Sequence, residues 1–300
     1  MRISVFGYLS DGRSPVDGYV ERLRTVRDEG FTRVWTAQLP HDPDLLTVLA
    51  VATREVEGIE VGTGVLPIQV QHPMALAQRA LTVNLVSGGR LLLGVGMNHR
   101  PVVENMWGMS WDRPVRRMSE YLDGLLPLLA GDPADAAGEF TTTRGSLQIP
   151  GAPAPPVYVA ALGPQMLRLA GRRTSGTVTW MTGPRTLGEH VGPTLRAAAG
   201  DRRVEVVAAL PICVTDDAAA ARAKAARDFA VYGTLPSYRA MLDREGWARP
   251  EDAALIGTES EVAARIDELR AAGVDEFTGA PFGSSEERAR SRALLLSCRS

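Results

Sequence analysis

Cysteine and histidine are scarce in this 300-residue chain, and it contains no long hydrophobic run and no block of like charge. The two cysteines, Cys213 and Cys298, lie far apart with no CxxC or Cys/His spacing, which leaves zinc binding and dithiol redox chemistry without support and fits a reducing cytoplasm. No apolar stretch reaches the ~18 residues of a membrane-spanning helix. The opening MRISVFGYL has one basic residue and too short an apolar run for a secretory signal, so a cytoplasmic, unprocessed protein is expected. The 35 acidic and 33 basic residues are interspersed, so neither a nucleic acid nor an anionic membrane is expected as a partner.

What is present is 45% hydrophobic and 23% charged residues, enough apolar material for a large core. Residues 72–100, HPMALAQRALTVNLVSGGRLLLGVGMNHR, organise the rest. Met74, Leu76, Ala77, Ala80, Leu81 and Leu85 recur at helical spacing, Ser87-Gly88-Gly89 stops the helix, and Arg90-LLLGVG-Met97 reads as a buried strand. One helix therefore feeds one strand of a parallel sheet. The strand leaves through Gly94 and Gly96 into Asn98-His99-Arg100, where bare backbone would let a ligand lie close.

The same alternation runs through the chain. Strands are predicted over residues 3–9, 33–39, 59–68, 90–97, 157–162, 176–181, 204–214 and 274–280, with helical segments between and after them. Ser10-Asp11-Gly12 turns the first strand toward a helix that Pro15 starts and Gly30 ends. Residues 131–156, rich in Gly, Pro, Ala and Thr, read as an inserted loop with a small hairpin around Arg144-Gly145; residues 100–113 and 233–258 are the other insertions. Eight strands alternating with eight helices predict a single-domain (β/α)8 TIM barrel. A doubly wound open sheet would place GxGxxG after the first strand, where this chain has GYLSDG.

In such a barrel the active site forms at the C-terminal ends of the strands. Those ends are Tyr8 and Ser10, Gln38 with His41, Thr63-Gly64-Val65, residues 97–100, residues 161–165, residues 180–183, Pro211 and residues 279–282. Asp11 and Asp42 are the carboxylates among them, too few for a metal site or a paired-carboxylate hydrolase. A broad, aromatic, glycine-lined pocket poor in acid-base groups suits a flat organic cofactor that brings its own chemistry.

Four segments carry a family resemblance: HPMALAQRALTVNLVSGGRLLLGVG, the helix with Arg117-Met118-Ser119-Glu120-Tyr121, AALGPQMLRLAGR, and GTESEVAARIDELRAAGVDEF. In that order the chain resembles the bacterial-luciferase-like oxidoreductases, and most of all the actinobacterial branch that uses the deazaflavin coenzyme F420. The resemblance implies a non-prolyl cis peptide at Gly64-Val65, with Thr63 beside it, facing the cofactor ring. It implies ring and polyol contacts from Gly96, Met97 and Asn98. It also implies a phosphate seat from Ala161 through the Gly163 and Gln165 amides, Pro164 having none to give, with Gly183 near the same tail. A homodimer is expected on the same ground.

Where the sugar-phosphate dehydrogenases of the family carry an acid, a histidine and a glutamate, this chain has Gln38, Leu39 and His99. Their alcohol-oxidising set is missing, which favours reduction: hydride passing from the reduced deazaflavin C5 to a C=N or activated C=C bond of a small secondary metabolite. His99 and Gln38 are the catalytic candidates, His99 titrating near neutral pH as proton donor or orienting the substrate. Tyr8, His41, Trp107 and Trp180 are expected to wall the substrate pocket, and Trp111 flanks the same loop. His72 is expected to fix the start of its helix and His190 to be structural or exposed. The alternatives are an FMN-dependent monooxygenase of the same superfamily and a non-catalytic ligand-binding or partner subunit.

Overall fold

A computed structural model describes residues 1–9 and 14–299. The turn expected at Ser10-Asp11-Gly12 lies outside the described residues. The chain divides into two compact units, Tyr8–Ala160 and a second made of Met1–Gly7 with Ala161–Ser300.

In chain order the elements begin with β1 (Arg2–Gly7), α1 (Pro15–Asp28), β2 (Arg33–Thr36), α2 (Leu45–Glu55), β3 (Glu60–Thr63), β4 (Leu66–Pro67), α3 (Pro73–Val86) and β5 (Leu91–Gly96). After a wide helical turn at Val102–Met106 come α4 (Pro114–Ala130), the hairpin β6 (Ala134–Ala137) and β7 (Thr142–Gly145), then β8 (Val157–Ala160). The unit Tyr8–Ala160 holds four parallel strands in the order β2-β3-β5-β8, with α1 preceding β2 and α2, α3 and α4 following β2, β4 and β5.

Local sequence explains the boundaries. The Asp44 carboxylate accepts the Thr47 amide at 2.9 Å and starts α2. His72 Nδ1 accepts the Met74 amide and its Nε2 donates to the Thr142 carbonyl, so this histidine does fix the start of α3. Trp35, fully buried in β2, meets Tyr158 of β8 edge to face at 5.4 Å. Gly62 on β3 is required by that ring, because a Cβ there would overlap it.

Two expectations change here. The strand predicted over residues 59–68 breaks in two: β3 pairs with β5 as far as Gly62, the Gly64-Val65 bond is cis, and β4 then pairs with β5 at Val95 and Gly96. The small hairpin exists, but Arg144 and Gly145 end its second strand rather than form its turn.

The other unit continues with α5 (Pro164–Arg173), β9 (Gly176–Trp180), α6 (Pro184–Thr186) running through a wide turn into α7 (Gly192–Ala199), and β10 (Glu205–Val214). Then come α8 (Ala218–Asp228), α9 (Pro236–Glu245), β11 (Leu255–Gly257), α10 (Glu259–Ala271), β12 (Glu276–Pro281) and α11 (Ser285–Ser297). Its parallel strands run β9-β10-β12-β1. The sequence reading missed β11, and the reason is length. Strand β10 has ten residues while its neighbour β9 has five, so the far half of that edge is open, and β11 pairs there with Ile212, Cys213 and Val214. Thr258 with Glu261 and Ser284 with Glu287 form capping boxes on α10 and α11. Among the described residues no helix is long and apolar enough to cross a membrane.

Candidate active site

In the unit Tyr8–Ala160 the strand ends are polar and built on backbone contacts. Thr63 is fully buried, its hydroxyl donating to the Gly94 carbonyl at 2.7 Å and accepting the Gly94 amide at 2.8 Å. Thr63 thereby braces β5 through its hydroxyl. The space over the two glycines of β5 is also filled. A Cβ at Gly94 would overlap the Thr63 carbonyl and stand 3.0 Å from Val65 Cγ1, and one at Gly96 would stand 2.7 Å from Val65 Cγ2. Val65, beyond its cis bond, stands over both glycines of β5.

Gln38 is likewise committed. Its Nε2 donates to the Leu39 and Pro43 carbonyls and its Oε1 accepts the Leu45 amide at 2.7 Å, so it holds the loop into α2. In that loop the Asp42 side chain is 1% exposed, Oδ2 has no hydrogen-bond partner, and Oδ1 lies 3.9 Å from the Nε2 of the exposed His41. Tyr8 is partly exposed, and its carbonyl accepts from Arg22.

At the end of β5, Asn98 Oδ1 accepts the His99 amide and its carbonyl accepts the Trp111 indole N–H at 2.8 Å. The His99 carbonyl in turn accepts the Val102 and Val103 amides and starts the wide turn, which Trp107 closes through its own amide to Val102. His99 is half-buried, and that burial lowers its pKa below the ordinary 6.5. It is therefore mostly neutral at pH 7, not poised at neutrality. Met97 Sδ accepts from Gln69 Nε2 at 3.7 Å, while Gln69 Oε1 is buried without a partner. Gln69 was missed because nothing in VLPIQVQHP separates it from an ordinary loop glutamine.

In the other unit the strand ends are aromatic. Trp180 at the end of β9 stacks on Phe6 of β1 at 5.6 Å and meets Phe229 and Tyr232 edge-on at 6.2 and 6.0 Å. Phe229 continues to Phe282 and Tyr232 to Tyr238. The sequence singled out Trp180 but not these neighbours, which lie in segments far apart along the chain.

Two helix N-termini stand in contrast in this unit. Gly163 precedes α5, is exposed, and has nothing within 4 Å of where a Cβ would sit. His190 donates from Nε2 to the Leu162 carbonyl beside it, so the expected structural role of His190 is to hold this loop. Gly183 precedes α6 and is buried: the Glu245 carboxylate accepts the Arg185 amide at 3.0 Å and the Thr186 amide at 2.7 Å, and Glu245 and Trp247 crowd the glycine. The anionic tail expected near Gly183 meets a carboxylate already seated on those amides.

Comparisons with known proteins accord with this architecture. Residues 3–276 match the family described as luciferase-like monooxygenase. The chain is 27% identical over 306 aligned positions to 5,10-methylenetetrahydromethanopterin reductase of Methanolobus tindarius, covering 92% of this chain and 94% of that protein. The coenzyme F420-dependent tetrahydromethanopterin reductase of Methanopyrus kandleri superposes with a TM-score of 0.81 at 20% identity, over 98% of this chain and 97% of that one. An F420-dependent secondary alcohol dehydrogenase, solved with an F420-acetone adduct, gives 0.83 at 20% identity, over 100% and 99%. These likenesses show the fold to be the expected (β/α)8 TIM barrel. With a family match that spans nearly the whole chain, the protein belongs to the luciferase-like monooxygenase family.

Proposed function

We propose that this protein is an F420-dependent oxidoreductase, acting as a reductase on a C=N or activated C=C bond of a small metabolite. One observation carries the reading: Val65, beyond its cis bond, packs over the glycines of β5, and the half-buried His99, whose pKa burial lowers, follows the end of that strand. One imidazole is too few for metal ligation or carboxylate-pair hydrolysis, and it matches chemistry supplied by an organic cofactor. The names of the M. kandleri reductase and of the secondary alcohol dehydrogenase point to F420.

Within Tyr8–Ala160, Gly64, Val65, Gly96, Met97 and Asn98 would hold the deazaflavin. In the other unit the open Gly163 and Gln165 amides of α5, beside Ala161 and Pro164, are the fitting seat for its phosphate. When bound, the deazaflavin supplies a hydride donor. His99 orients the acceptor by giving an N–H to its nitrogen or carbonyl oxygen, and its protonated form, populated in acid, is a stronger acid than free imidazolium. Within Tyr8–Ala160, Trp107 and His41 are substrate-contact candidates, and in the other unit Trp180 is one. The protein acts in the cytoplasm as a homodimer, within secondary metabolism.

Titration of the purified protein with oxidised F420 and, separately, FMN, followed by fluorescence, tests this. Low-micromolar F420 binding with negligible FMN affinity, then turnover of imines or enones with reduced F420, is expected. Preference for FMN moves the protein to the monooxygenases, and binding of neither makes it a non-catalytic subunit.

A further inference from the structure

Gln69 carries a buried amide in the candidate site whose hydrogen bonding is incomplete. It follows β4, where Pro67 pairs with Gly96 and the Ile68 amide donates to the Gly96 carbonyl at 3.1 Å, so it lies alongside the end of β5. The residue is 8% exposed. One end of its amide meets only the Met97 thioether, a weak acceptor, at 3.7 Å, and the other end, Oε1, is buried with no partner. Gln38, by contrast, has every amide capacity used by backbone within its own loop. A buried amide left half-satisfied is costly to the protein alone, and folded chains seldom keep one without a use.

We propose that Gln69 reads the edge of the bound heterocycle, its Oε1 accepting a ring N–H and its Nε2 donating to the adjacent ring carbonyl. A neighbouring donor and acceptor on one planar edge is the chemistry of an imide or lactam, and the pyrimidinedione of deazaflavin and flavin offers it. Exchange of the thioether for a ring carbonyl gives Nε2 a strong acceptor, and the orphaned Oε1 gains its donor. The inference rests on the cofactor reading above and deepens it by naming the residue that recognises the ring itself rather than the phosphate tail.

The test joins two measurements on wild type, Gln69→Met and Gln69→Leu: the melting temperature of the cofactor-free protein, and fluorescence titration with oxidised F420. Removal of a half-satisfied amide is expected to leave the melting temperature unchanged or raised, while F420 affinity falls about tenfold, the size of one net hydrogen bond. A lowered melting temperature with affinity within twofold of wild type would make Gln69 a purely structural amide and overturn the proposal alone. If wild type binds neither F420 nor FMN, the cofactor reading fails, and this assignment fails with it.

Discussion

The two units run the same strand-helix repeat and finish it with opposite chemistry. In Tyr8–Ala160 the strand ends carry polar side chains, and the buried oxygens Asp42 Oδ2 and Gln69 Oε1 near those ends have no partner, as is also true of Tyr121 Oη and Thr143 Oγ1 elsewhere in the unit. In the other unit Trp180, Phe6, Phe229 and Tyr232 pack on one another, and the α6 N-terminus is closed by the Glu245 carboxylate. Buried polar atoms without a partner occur in both units, Trp180 Nε1 and Thr278 Oγ1 among those of the second, so the units differ in the kind of side chain at their strand ends rather than in hydrogen-bond satisfaction. The function proposed above puts reaction chemistry in the first unit and anion recognition in the second.

The sharpest way to break that assignment is His99→Asn. Turnover with reduced F420 should fall about a hundredfold, in the range of acid-base and orienting groups, with F420 affinity unchanged; full turnover would move the chemistry elsewhere. Gly94→Ala comes next. Its methyl would overlap the Thr63 carbonyl, so urea unfolding should show a loss of about 3 kcal/mol, while Gly163→Ala, with open space and ordinary φ, should stay within about 0.5 kcal/mol of wild type.

Glu245→Ala should cost about 1–3 kcal/mol by leaving the Arg185 and Thr186 amides without their acceptor. A neutral outcome would erase the contrast between the two helix N-termini.

The smallest effect is on pH. Because burial lowers the His99 pKa in the folded chain, the unfolded chain takes up that proton first as pH falls. The corresponding stability is complete above about pH 6.5 and declines as pH falls toward the folded-state value. His99→Asn should flatten that part of a stability profile measured by denaturant unfolding.

Much of the fold could be read in advance because its signals are local. Asp44, Pro73, the capping boxes at Thr258 and Ser284, and the glycines after α1 and α3 act through neighbours one to four residues away. The site was less legible. Nothing in the sequence announced that Gln38 would bind three backbone groups of its own loop, or that the Thr63 hydroxyl would be spent on Gly94. Gln69 and Glu245 gave no signal, because the groups they meet or fail to meet belong to other segments.

The sequence by itself determined the alternation of strand and helix, the family and the start of α3 at His72, since periodicity, caps and motif order are properties of contiguous residues; the cis bond at Gly64-Val65 was expected only because the family resemblance implies it. Tertiary structure alone decided which polar atoms are spent and which are left over. It decided that Val65 fills the space above Gly94 and Gly96, that β11 completes the open edge of β10, and that Glu245 closes one helix N-terminus while Gly163 stays open. Burial and hydrogen-bond satisfaction depend on residues distant in the chain, and only their convergence in space fixes them.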